Sequence, residues 1–137
     1  MLDCLFCKIV SQEIKAEIIY EDEFSLAFLD VHPRSSGHTV VIPKKHAENI
    51  STLADALVGP TFLTVKRVSA ILNTSLHSDG FTIGINHGRM SGQVVDHLHI
   101  PVILRFNNDQ GTSIQSVVNN PSPESLVQIA LKIKKLL

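Results

Sequence analysis

The chain has 137 residues, enough for one domain with a buried core. Hydrophobic residues make up 44% and charged residues 18%, which excludes disordered, collagen-like and coiled-coil classes. Lys and Arg number 12 against 13 Asp and Glu, so a net charge of −1 argues against a broad electrostatic grip on nucleic acid or an acidic membrane. No apolar run approaches the ~20 residues of a membrane helix. The opening Met1-Leu2-Asp3-Cys4-Leu5-Phe6-Cys7-Lys8 has no basic region followed by an apolar stretch. No secretory signal is therefore expected, and the cytosol is the expected compartment. Two features stand out: 7 His in a small chain, and both Cys in one Cys4-x-x-Cys7 pair.

In chain order, Ile18-Ile19-Tyr20 is a β-prone run closed by the acidic turn Glu21-Asp22-Glu23. Leu26-Ala27-Phe28-Leu29 predicts a second strand, stopping at Asp30. A Pro-, Ser- and Gly-containing loop, His32 to Gly37, leads to a third strand, Thr39-Val40-Val41-Ile42, ended by Pro43. Over residues 51–76 the period changes. Val65, Val68, Leu72 and Leu76, with Phe62 one turn earlier, lie on one helical face. Gly59-Pro60 is expected to divide a short lead-in from the main helix. Phe81 to Ile85 predicts a fourth strand, and His97 to Arg105 a fifth, interrupted by Pro101. Residues 106–121 predict mainly loop. Ser122-Pro123-Glu124 predicts the start of a closing helix whose apolar face is Leu126, Ile129, Ala130 and Ile133. Strands, one long helix and more strands imply an α+β domain with a mostly antiparallel sheet over residues 1–137.

His97 and His99 sit two apart in a predicted strand. Their imidazoles therefore share a face, with Cα atoms about 6.6 Å apart. A neutral imidazole can attack phosphorus and leave again, splitting one phosphoryl or nucleotidyl transfer into two steps. Such a nucleophile needs its far ring nitrogen held by an acceptor, and donors for the charge developing on phosphate. The turn Asn86-His87-Gly88-Arg89-Met90-Ser91-Gly92-Gln93 precedes the strand and can supply those donors. Cys4-x-x-Cys7 has three readings: half of a zinc site, a redox pair lacking the usual βαβ context, or two small buried residues. For zinc, His46 and His97 are candidate partners, giving a Cys₂His₂ set.

Taken together, the chain resembles the histidine-triad (HIT) family of nucleotide-binding hydrolases and transferases. The resemblance is carried by Asp3 to Val10, which looks like the family's zinc-carrying bacterial branch, by Ala27 to Pro33, and by Gly37 to His46. Ile85-Asn86, Gly92-Gln93 and His97-Leu98-His99-Ile100 complete it. The resemblance implies a five-stranded antiparallel sheet with a long central and a C-terminal helix, usually in a homodimer. It implies a purine nucleotide attacked at its α-phosphate, with His99 as the residue that becomes nucleotidylated. Asp30 would accept from the ribose hydroxyls. Phe6, Ile9, Phe28, Leu29 and Val31 would line the base pocket. Asn86 and Gln93 would contact phosphate, with His38 in support at the phosphate end. Cys4, Cys7, His46 and His97 would hold a structural zinc, since four protein ligands leave no open position.

One position departs from the pattern. The family signature carries three alternating histidines, and here the third place is Pro101. Proline has no proton to give, so a leaving group receives no help from it, and general-acid assistance is worth about 10²–10⁴-fold. Alcohols and amines should suffer most, acidic leaving groups least. Three functions compete on these residues: a hydrolase or transferase for nucleoside phosphoramidates, adenylylated amines or dinucleoside polyphosphates; a nucleotide-binding module with little turnover; and a zinc or dithiol interaction protein, which leaves His99 and Asp30 unused.

Overall fold

A computed structural model describes residues 3–137. Five strands form one antiparallel sheet: β1 (Ile18–Glu21), β2 (Ser25–Leu29), β3 (Thr39–Pro43), β4 (Gly80–Ile83) and β5 (Ile100–Arg105). Their spatial order is β1-β2-β3-β5-β4. The helices are α1 (Leu5–Val10), α2 (Asp55–Leu76) and α3 (Leu126–Lys134). The expected α+β class with a long central and a C-terminal helix is what the chain adopts.

Alternation along the central strands builds two different faces. Ala27, Val41, Ile100, Val102 and Leu104 point to α2 and form one core with Val65, Val68 and Leu72. Leu26, Phe28, Val40 and Ile42 point the other way and pack with Phe6 and Ile9 of α1. In the β3–β5 register Val40 lies opposite Pro101 and Val41 opposite Ile100. Pro101 therefore belongs to the α1 face. A third cluster, Ala47, Leu53 and Leu98 with Leu57 and Val58, lies below residues 97–99.

Several boundaries differ from expectation. The fifth strand starts at Ile100 rather than at His97. Pro43 explains this: it offers no N–H, and its carbonyl accepts from the His97 ring at 2.9 Å. Leu98 N–H instead donates to the Ala47 carbonyl at 2.7 Å. Nor does Pro101 interrupt β5. Its carbonyl accepts from Gly84 N–H, and a strand residue aims both main-chain groups at the same neighbour. The missing N–H thus faces β4, where the ladder has already ended at Ile83–Val102.

The long helix is not divided at Gly59-Pro60 either; Pro60 lies inside α2. It is the sixth residue, so only the bond to the Ala56 carbonyl is forfeited. The buried stripe runs through Thr61, Val65, Val68 and Leu72, whereas Phe62 and Leu76 are exposed. Thr61 tolerates burial because its hydroxyl donates to the Leu57 carbonyl at 2.7 Å. Residues 106–121 are loop apart from a single 3₁₀ turn at Ile114–Val117. In α3 the N-cap is Ser125, not Ser122: Ser125 accepts from Gln128 N–H at 3.2 Å, and Gln128 Oε1 accepts from Ser125 N–H at 2.8 Å. That reciprocal box is a better cap than Ser122, whose hydroxyl accepts only from Glu124 N–H.

Candidate active site and metal centre

The metal-ligating residues come from three elements. Cys4 caps α1, its Sγ accepting from Cys7 N–H, and one helical turn brings Cys7 to the same side. His46 follows β3, and His97 precedes β5. Cys4 Sγ lies 3.3 Å and Cys7 Sγ 3.6 Å from His97 Nδ1, while Cys7 Sγ lies 3.3 Å from His46 Nδ1. All four ligand atoms fall within 4.8 Å of one another. A tetrahedral ion with Zn–S and Zn–N bonds of ordinary length would separate its ligands by about 3.3–3.8 Å. The chain thus positions Cys4, Cys7, His46 and His97 to bind a metal ion.

Protonation agrees with this. The carbonyl of Pro43 can only accept, so His97 Nε2 carries the hydrogen and Nδ1 turns its lone pair to the thiols. Burial pushes the His97 pKa down to about 4, against the raising effect of that bond. Burial also raises the Cys7 thiol, with a further contribution from Cys4. The imidazole is neutral and ready to ligate at pH 7, and a metal ion would be what ionises the thiols.

The next residue on this face is His99. Its Nδ1 stands 2.7 Å from the His97 carbonyl, which again can only accept. Hence Nδ1–H donates and Nε2 holds a lone pair. The ring of Phe6 packs edge-on against it, centroids 5.2 Å apart, and against His97 at 5.9 Å. One residue, His97, thereby orients the His99 ring through its carbonyl and faces the metal centre through its side chain.

Of the residues expected around the base, Phe6, Ile9 and Phe28 are buried in the α1-side core, with Phe6 and Phe28 rings 5.5 Å apart. Leu29 is half-buried, and Val31 is 81% exposed. Asp30 follows β2. One oxygen accepts from His32 N–H at 2.8 Å, and the other lies 3.6 Å from His38 Nε2. His38 is buried, its Nδ1 accepting from Arg34 N–H at 3.1 Å, which leaves the hydrogen on Nε2 facing the Asp30 carboxylate. Burial lowers the His38 pKa; Asp30 opposes this and Arg34 adds to it. The contacts of His38 are thus with Asp30 and Arg34, not with any residue expected at phosphate.

Gln93 is engaged with main chain. It is buried, and its amide nitrogen donates to the carbonyls of Glu48 at 2.7 Å and Val95 at 3.0 Å. Its oxygen accepts from Gly88 N–H at 2.9 Å. With both hydrogens committed to main chain, Gln93 braces the 86–95 turn and has no donor left for phosphate. Asn86 is exposed on the same turn. Gly92, at φ 103°, brings the turn back so that a Cβ there would sit 3.6 Å from the Asn86 amide.

Comparison with known proteins decides the kinship. The HIT domain profile matches residues 11–108. The chain belongs to the HIT domain family. A HIT-like protein of Methanocaldococcus jannaschii is 44% identical over 106 residues, covering 77% of this chain and 81% of its own length. Adenosine 5'-monophosphoramidase hnt1 of Schizosaccharomyces pombe is 34% identical, covering 97% of this chain and all of its own. The crystal structure of a HIT family protein from Bacillus subtilis superposes with a TM-score of 0.87 at 34% identity, covering 98% of this chain and 97% of that one. The HIT fold and the metal-ligating set expected from the sequence are therefore present together in this chain.

Proposed function

We propose that this HIT protein is a nucleotidyl hydrolase or transferase that attacks the α-phosphate of a purine nucleotide conjugate through His99. The observation that carries the reading is the 2.7 Å bond from His99 Nδ1–H to the His97 carbonyl, which selects the neutral tautomer whose lone pair lies on Nε2. In the first step Nε2 bonds to phosphorus and the leaving group departs with its electron pair. In the second, water displaces the imidazole, AMP leaves, and a proton is released to solvent. Asp30 takes the ribose hydroxyls on its remaining lone pairs, with the His32 N–H holding one carboxylate oxygen. Phe6, Ile9, Phe28, Leu29 and Val31 form the base side. Asn86 donates to phosphate, and Gln93 acts by holding the turn. A structural zinc is held by Cys4, Cys7, His46 and His97 and takes no part in the chemistry. The protein works in the cytosol as a homodimer, which would cover apolar residues such as Phe62 and Ile71 that one chain leaves exposed. Similarity to an adenosine monophosphoramidase supports the reaction class.

The second reading, a nucleotide-binding module with little turnover, is favoured by Pro101. One experiment separates the two. The purified protein is incubated with adenosine 5'-phosphoramidate or a dinucleoside polyphosphate, and AMP release is followed, with His99→Ala as control. Release that disappears in the variant supports the enzyme. Tight AMP binding without release supports the module, and neither binding nor release overturns both. Metal analysis of protein purified without chelator is expected to find one zinc per chain; a markedly substoichiometric content would remove zinc from the reading.

A further inference from the structure

The turn between β2 and β3 closes on itself. Asp30 N–H donates to the His38 carbonyl at 2.9 Å, and His38 N–H donates to the Ser35 carbonyl at 3.1 Å. Gly37, at φ 79°, brings the turn so near the end of α2 that a Cβ there would collide with the Leu76 side chain. Asp30, Arg34, Ser35 and His38 are thereby held around one recess of about 380 Å³. That is within the range of small-molecule pockets, roughly 300–1,000 Å³.

The recess holds donors that an unmodified ribose leaves unused. Among the described residues, three buried side-chain atoms lack a hydrogen-bond partner: Ser25 Oγ, Ser35 Oγ and His38 Nε2. Ser35 and His38 both line this recess. The His38 side chain is 7% exposed, and its Nε2–H stands 3.6 Å from Asp30, too far for a hydrogen bond. Buried donors without acceptors are costly, and acceptor atoms of a ligand would relieve that cost. Arg34 adds positive charge at the rim: it is exposed and forms no ion pair among the described residues. Ribose hydroxyls carry no charge to meet it, whereas a guanidinium fork matches the oxygens of a phosphate.

Resting on the proposed reaction, we propose that the preferred nucleotide carries a second phosphate, a monoester on one ribose hydroxyl, held by Arg34, Ser35 and His38. Asp30 accepts from the hydroxyl that remains free. The Arg34 guanidinium forks onto two oxygens of the monoester and offsets its repulsion from the Asp30 carboxylate. The Ser35 hydroxyl and His38 Nε2–H donate to the same group. His99 acts on the 5'-phosphate as before, so recognition and reaction engage different phosphorus atoms.

The test titrates the full-length protein, purified without chelator, with AMP, adenosine 2',5'-bisphosphate and adenosine 3',5'-bisphosphate in a calorimeter. One bisphosphate is expected to bind about tenfold or more tightly than AMP, because charge-assisted bonds to phosphate are strong; the isomer that does so names the hydroxyl. Arg34→Gln keeps the main-chain N–H that His38 accepts from, and it is expected to bring the AMP-to-bisphosphate ratio of Kd values close to one. Ser35→Ala is expected to cut that ratio several-fold. Added salt should shrink the ratio in the unaltered protein and leave it unmoved in Arg34→Gln. A ratio near one in the unaltered protein, or a ratio that survives both variants, would overturn the assignment. So would a gain abolished by inorganic phosphate at the nucleotide's own concentration, the mark of a site for free anions. In those cases AMP binding together with His99-dependent AMP release from adenosine 5'-phosphoramidate would leave the general reaction standing. No binding of any of the three nucleotides would overturn both.

Discussion

The two ends of the face that carries His99 are built on opposite principles. At the His97 end the polar atoms of His97 each have a partner: Pro43 holds one ring nitrogen, two thiols face the other, and the carbonyl holds His99. At the Pro101 end Ile103, Ile114, Val117 and Val118 dominate an uncharged lining around open space that also holds Thr82, Asn86 and Ser91. Buried polar groups are costly unless satisfied, so the first end tolerates little change. Apolar walls impose no such geometry, so the second can change shape without unfolding the sheet. His99 is thus held by hydrogen bonding on one side while the Pro101 side is free to vary.

The largest effect should come from breaking the first end. Stripping the metal with a chelator, or Cys4→Ser with Cys7→Ser, should lower unfolding free energy by about 4 kcal/mol if metal is normally present a thousandfold above its dissociation constant. Denaturant titration with and without chelator measures this, and coincident curves would show that the cluster holds no ion of consequence. Acidification comes next. In metal-free protein the folded-state pKa of His97 is about 4, below the unfolded value of 6.5. The unfolded chain then takes up the proton more readily, so stability is retained above pH 6.5 and lost as pH falls toward 4, by on the order of 3 kcal/mol. A thermal midpoint flat across that window would contradict a buried neutral His97. The smallest effect belongs to the other end: Val118→Ser, at a position 68% exposed, should shift stability by no more than about 0.5 kcal/mol in the same titration. A loss as large as at His97 would erase the contrast.

Much of this was legible in the residues. The two-residue spacing of His97 and His99 put both on one face even though the hydrogen-bonded strand begins only at Ile100, because alternation needs extended backbone and not a ladder. The Cys-x-x-Cys spacing is one helical turn, so the ligand pair survives any uncertainty over what holds it. Gln93 was harder. Its type suits phosphate, but its amide is consumed by Glu48, which is 45 residues away in the chain, and no local pattern encodes that contact. The same applies to the loop after β5, where Arg105 draws in Asp109 and the Thr112 carbonyl and so carries Ile114 and Val117 over Pro101. Helical periodicity found both α2 and α3, but only α2 meets a sheet. In α3 the apolar stripe stays largely in the open, Leu126 being 87% exposed, since amphipathicity selects a helix without naming its partner.

The start of α2 has a dynamic consequence. Ala54 provides no side-chain cap there, Gly59 favours other backbone states, and Pro60 withholds an amide. This first segment is where the helix opens at least cost, so its amide protons should exchange sooner than those around Val68. Leu57 and Val58 of that segment pack with Leu98, the residue between His97 and His99. Opening of this terminus would therefore loosen the packing around Leu98, next to His99.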